Sequence, residues 1–139
     1  MMEVIDMKRV KGKLQKNNGQ ALIETALVLP IIILILMGII DFGLMFSNYF
    51  IVSNASRDAA RNAVVGQSDV QTQALIANMT STLNQEKIKI TIYPADSLRK
   101  KGDEVSITIE YDNTLLTPII SAIIPNPVKL ISKTTMRME

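Results

Sequence analysis

Cysteine and histidine are both missing from the 139 residues, and those two gaps narrow the possible chemistry further than anything present. Without cysteine there is no disulfide, no thiolate nucleophile and no thiolate metal site. Without histidine the commonest metal ligand, the usual general base and the Ser-His-Asp arrangement are gone together. Paired carboxylates or a lysine remain open to an enzyme, but none stands in a recognisable motif, and no glycine-rich loop is built to cradle phosphate. The chain is therefore expected not to be an enzyme and to need no cofactor or metal. Tryptophan is absent as well, and aromatics make up 4% of a chain that is 47% hydrophobic. Its apolar content is aliphatic, which leaves a modest core for any domain it forms.

Charge is lacking from one long stretch. From Ala26 to Ile40 no side chain is charged or strongly polar, and from Ala21 to Ile40 the exceptions are Glu24 and Thr25. At about 1.5 Å of rise per residue, roughly 20 helical residues cross the roughly 30 Å hydrocarbon layer. The stretch predicts a single membrane span with a carboxylate near one end. A charge within hydrocarbon costs about 2.5–3.5 kcal/mol on insertion scales, so Glu24 needs a partner or a shallow position. Before the span stand Lys8, Arg9, Lys11, Lys13 and Lys16 against Glu3 and Asp6. Basic residues beside a span hold that end in the cytoplasm, so the amino terminus is expected inside and everything after the span outside.

Removing residues 1–19 takes five of the 15 bases and two of the 13 acids, and turns a formal charge of +2 into one near −1. The basic balance thus belongs to the leader, and no nucleic-acid partner is expected. A plain reading makes the leader a cytoplasmic tail that only orients the chain. The position of Gly19, five residues ahead of Glu24 and directly before the apolar run, favours a processing site.

At those residues the sequence resembles a known family. Gly19 followed by Gln20-Ala21-Leu22-Ile23-Glu24 and an apolar run is similar to the processing site of type IV prepilins. The text through Asp41-Phe42-Gly43, the run Ala55-Ser56-Arg57-Asp58-Ala59-Ala60-Arg61, and more loosely Tyr111 to Pro118 and Lys129 to Met138, resemble the TadE-like pseudopilins of tight-adherence pilus systems. The resemblance implies that a membrane prepilin peptidase cuts between Gly19 and Gln20, and that Glu24 is carried into assembly. A secretory signal is cut after its apolar region; here the cut precedes it, so the helix stays with the product. The ammonium of Gln20 would then pair with the Glu24 carboxylate of a neighbouring subunit, each offsetting the other's desolvation. Thr25 stands where major pilins of these systems usually carry Tyr, which points to a minor pilin. Gln20 departs from the Phe common at the first mature position of classical type IV pilins.

Along the chain, Asn17-Asn18-Gly19 reads as a turn-prone end of the leader. One long helix is expected from about Ala21 to Val65, closed by Gly66 as its cap. Pro30 lies inside it and removes one backbone hydrogen bond; a helix kink used in filament packing and a merely tolerated proline are both open. Asp41 ends the strict apolar run in a structural role. Ser68 and Gln71 fit a capping box for a second helix to about Leu83, with Leu75, Met79 and Leu83 recurring every four residues and Ile76 beside them as its apolar face. Ile88, Ile90 and Ile92, then Val105, Ile107, Ile109 and Tyr111, alternate as half-buried strands of a hairpin. Arg99-Lys100-Lys101 between them reads as a solvated tip or a site for an acidic partner. A short helix is expected from about Thr117 to Ile124, either plugging the small core or exposed to another subunit. The last strand runs from Val128 to Met138, with Val128, Leu130, Ser132, Thr134 and Met136 on one face.

The predicted fold class is α+β and type IV pilin-like. It has a long amino-terminal transmembrane helix continuing into a small domain with a second helix and a three-stranded antiparallel sheet. The expected domains are a cytoplasmic prepilin leader at 1–19, the transmembrane helix at 20–52 and an extracytoplasmic domain at 53–139, of the roughly 70 to 90 residues that one small domain takes. The expected function is that of a minor pilin or pseudopilin for assembly or initiation of a tight-adherence pilus in surface attachment. Its expected partners are the prepilin peptidase, other pilins and the assembly platform, first in the inner or cytoplasmic membrane and then in the pilus. A pseudopilin of a related secretion or DNA-uptake system, and a single-pass membrane-anchored binding domain, are the alternatives.

Overall fold

The structure, a computed structural model, describes the backbone of residues 2–138 and the side chains of residues 19–138. The leader residues ahead of Gly19 therefore lie outside the described side chains. The chain divides into two compact units, Met1–Ile39 and Ile40–Glu139.

The first helix, α1, is Met2–Val64, 63 residues, and supplies all the secondary structure of the first unit. Its helical backbone passes through Asn17-Asn18-Gly19, where the composition favours a turn. These are weak helix formers at about 0.7–1 kcal/mol each. Good helix formers, Lys13 to Lys16 on one side and Ala21 to Glu24 on the other, flank them and carry the helix across. Pro30 sits within the unbroken helix.

The second unit holds the rest of α1, then α2 (Asp69–Met79), β1 (Ile88–Tyr93), β2 (Glu104–Asn113), the single turn α3 (Pro118–Ser121) and β3 (Val128–Arg137). Short 3-10 turns at Gln85–Lys87 and Asp96–Leu98 flank β1. The α+β class with a second helix and a three-stranded antiparallel sheet is as the sequence predicts. Residues 40–52, within the stretch expected to span the membrane, belong to the same compact unit as the sheet.

The end of α1 is chemically specified. Gly66 has φ +100°, its N–H donates to the Ala63 carbonyl, and the Gln67 N–H donates to that of Asn62. This paired pattern is the Schellman closure, which satisfies carbonyls that the last turn leaves open. The next helix starts two residues later. The Gln71 N–H donates to Ser68 Oγ and the Ser68 N–H donates to Gln71 Oε1, so the capping box is present.

α2 is shorter than expected, and its buried stripe is Thr72 and Ile76, continued by the capping residue Thr80, rather than Leu75 and Met79. The stripe has turned by one residue because threonine is suited to this inner face. The hydroxyls of Thr72 and Thr80 donate to the carbonyls of Ser68 and Ile76, four residues back, and so satisfy themselves within the helix. Leu83 is buried beyond the helix end, where the chain has already turned.

The sheet is a plain meander, β1-β2-β3, antiparallel throughout. Ile90 lies opposite Ile109 and Ile92 opposite Ile107; on the other side Ile109 faces Ser132 and Ile107 faces Thr134. The alternating residues of β2, Val105, Ile107, Ile109 and Tyr111, form the centre of the core. Against them lies a helix face of small residues: Val52, Ala55, Ala59, Ala60 and Ala63 are all fully buried. With no side chain beyond Cβ, the alanines let the backbone approach the sheet closely, and close packing holds the pair together.

Replacing Gly66 by Ala isolates the cap. An added Cβ meets nothing within 4 Å, so the cost is that of left-handed backbone alone, about 1–2 kcal/mol. Thermal unfolding in detergent should show that loss for Gly66→Ala and a smaller one for Gly66→Asn.

Candidate functional site

Gly19, Gln20 and Glu24 lie on the helix of the first unit, and all three are exposed. A Cβ added to Gly19 meets nothing within 4 Å, so the fold itself does not require glycine there. Glu24, Val28 and Ile32 recur every four residues on one face, with Thr25 and Leu29 beside them, and together they line an open groove along the helix. Thr25 Oγ1 donates to the Ala21 carbonyl at 2.9 Å and thereby hides its polarity in the helix. Among the described residues the one ion pair is Arg99 with Asp69, so Glu24 has no cation there.

Around this acid the helix presents aliphatic surface outward. Leu22, Leu27, Ile31 and Ile39 are each more than half exposed. An apolar surface of this length is not stable in water, and the helix is long and apolar enough to cross a membrane with almost none of its apolar window buried. It gives the protein single-pass membrane anchoring.

In the second unit the amino end of the domain is organised by Asp41, the lone charge between Glu24 and Arg57. Its side chain is buried, 4% exposed, and its two carboxylate oxygens accept from the backbone N–H groups of Leu116 and Thr117, each at 3.1 Å. Two amides on one carboxylate compensate its burial. Two turns on, Asn48 Nδ2 donates to Asn113 Oδ1 at 2.7 Å. Two turns further, Ser56 Oγ lies 2.8 Å from Ser132 Oγ and 2.9 Å from Thr134 Oγ1, and donates or accepts within a cluster that includes the Ser53 carbonyl. These three contacts form a polar seam between one face of α1 and the β2–β3 half of the sheet. Sequence reasoning placed Asp41 in a structural role but did not find its partners. Its signal was its isolation in an otherwise uncharged run.

The basic cluster Arg99-Lys100-Lys101 is not one surface. The Arg99 side chain is turned inward: Nε donates to the Pro94 carbonyl at 3.0 Å, Nη1 to the Gln67 carbonyl at 3.2 Å, and Nη2 bonds Asp69. Asp69 and Asp96 also accept each other's backbone N–H. This clip ties the start of α2 to the β1–β2 connection, and only Lys100 and Lys101 face solvent. Among the described residues no group of acidic side chains is placed to hold a metal.

A long apolar helix, a second helix and a three-stranded antiparallel sheet define a membrane-anchored protein of pilin-like α+β build. Residues 19–61 match the family described as TadE-like protein. By that match this stretch, about a third of the chain, is similar to TadE-like proteins. The matched residues begin at Gly19 and end within the buried alanine face of α1. No curated protein and no solved structure matches the chain.

Asp41→Ala should release the 114–127 connection while leaving the sheet intact. Hydrogen bonds to a charged group contribute about 1.5–3 kcal/mol each, so amide exchange at Leu116 and Thr117 should quicken by about 10- to 100-fold at 1.4 kcal/mol per tenfold. Exchange at Ile107 and Ile109 should change far less.

Proposed function

We propose that this chain is a minor pilin of a tight-adherence pilus, held in the cell membrane with its amino terminus inside until it is drawn into the filament or its base. Prepilin peptidase cuts between Gly19 and Gln20. The new ammonium of Gln20, or that of a sister subunit, meets the Glu24 carboxylate of the next helix and sets the axial register. The domain of α2 and the sheet stays outside and faces the other pilins and the assembly platform.

The observation that carries this reading is Glu24 itself, an exposed acid on an apolar helix with no cation among the described residues. In a bundle of such helices the acid is costly alone and stabilising when paired, so it selects the one stagger that brings a positive terminus beside it. The face of Glu24, Val28 and Ile32, with Thr25 tucked into its own helix, gives an adjoining helix a groove to enter. Gly19 supports the same reading, because the fold leaves room for a side chain that the sequence withholds.

Two measurements test it. Amino-terminal sequencing of the protein recovered from cells carrying the peptidase should begin at Gln20; recovery with residues 1–19 attached would remove the basis for assembly. Glu24→Ala should still enter the membrane, but its recovery with the pilus complex should drop by more than about tenfold, since leaving one partner of a desolvated pair alone costs about 3–5 kcal/mol.

A further inference from the structure

The connection between β2 and β3 combines two properties that water would not favour together. From Asn113 to Val128 it carries no charged residue, and Leu116, Ile119, Ile123 and Ile124 are 72%, 51%, 79% and 44% exposed. Yet six of its amides are bonded within the protein. The Leu115 N–H donates to Asn126 Oδ1, those of Leu116 and Thr117 to Asp41, that of Ser121 to the Thr117 carbonyl, and those of Ile123 and Ile124 to the Ile120 carbonyl. A solvated loop can leave such groups to water. A loop in a low-dielectric layer has to satisfy them itself.

Its place along α1 says what that layer is. The carboxylate of Asp41 holds Leu116 and Thr117, so the connection sits at the level where the uncharged run from Ala26 to Ile40 ends. On α1 itself the exposed residues beginning one position later include four aromatics. Phe42, Phe46 and Phe50 follow one another with ring centroids 5.0 and 6.1 Å apart, and Tyr49 lies 6.3 Å from Phe50. Aromatic side chains collect where hydrocarbon meets headgroups. We propose that the tip of this connection, Leu116 with Ile119, Ile123 and Ile124, is a second membrane contact that dips into the outer interface of the bilayer around α1. The occupant of the patch is lipid: the patch is tied through Asp41 to the stretch of α1 that carries the exposed aromatics, and it carries no charge to pair with a protein partner. The tip limits how the subunit can tilt in the bilayer, and it must leave the bilayer before the subunit can enter a filament.

This rests on the single-pass reading, and the test separates the two. The protein has no cysteine, so Ile123→Cys and Ile119→Cys each carry one environment-sensitive fluorophore in the full chain, reconstituted at one copy per phosphatidylcholine–phosphatidylglycerol nanodisc. Ile33→Cys reports the span, and Leu98→Cys, 67% exposed on another connection, reports water. Quenching by nitroxide lipid should be at least about threefold stronger at positions 119 and 123 than at 98, as expected for groups roughly 5–10 Å into the interface, with iodide quenching in the reverse order. Lipid quenching at 33 with iodide quenching at 119 and 123 equal to that at 98 overturns the second contact and leaves the span intact. Loss of lipid quenching at 33 overturns the span and this contact with it. Shielding at 119 and 123 that arises only with several copies per disc also overturns it, in favour of a contact between subunits.

Discussion

The close approach of α1 to the sheet is the constraint on which the other features depend. It is made possible by alanine at 55, 59, 60 and 63 and by the short chains Ser53 and Ser56, against the isoleucines of β2. A face this small brings the helix backbone near enough for Ser56 to reach Ser132 and Thr134 directly. Larger residues would give more apolar area but would hold the helix away, and the seam of hydroxyls and amides could not close. Polar groups in such a contact are worth little unless all are satisfied, and among the described residues no buried side-chain polar atom lacks a partner.

That seam gives the helix–sheet contact direction as well as strength. Apolar packing alone tolerates sliding, because one alanine is much like the next along a helix. Asp41, Asn48 and Ser56 stand seven or eight residues apart on one side of α1 and meet partners on the β2–β3 half of the sheet and its connection. A slip by one helical turn would leave three polar groups buried and unpaired, each costing about 1–3 kcal/mol or more. The register of the domain on its own helix is therefore fixed at three levels.

The two acids of the helix illustrate opposite solutions to one problem. Asp41 is satisfied within its own chain by two backbone amides, so it acts as a structural fastening. Glu24 stands on an outward face with no cation among the described residues. In the sequence they look alike, each an isolated carboxylate in an apolar run.

The sequence by itself determined the elements whose causes are local. The apolar run, the Gly66 cap, the Ser68–Gln71 box and the alternation of β1, β2 and β3 follow from spacings of two to four residues, and all are found. Helix boundaries followed less well, because flanking residues carried α1 through Asn17-Asn18-Gly19 and because Thr72 and Thr80, which conceal their own hydroxyls, displaced Leu75 and Met79 from the centre of the stripe. Only the tertiary structure decided where Asp41, Ser56 and Arg99 would bond. Their partners lie 75 and 76, 76 and 78, and 30 residues away in the chain respectively. No periodicity reports a distance of that kind: a side chain's neighbours across a fold depend on which faces meet, and that is settled when helix and sheet pack, not when either forms.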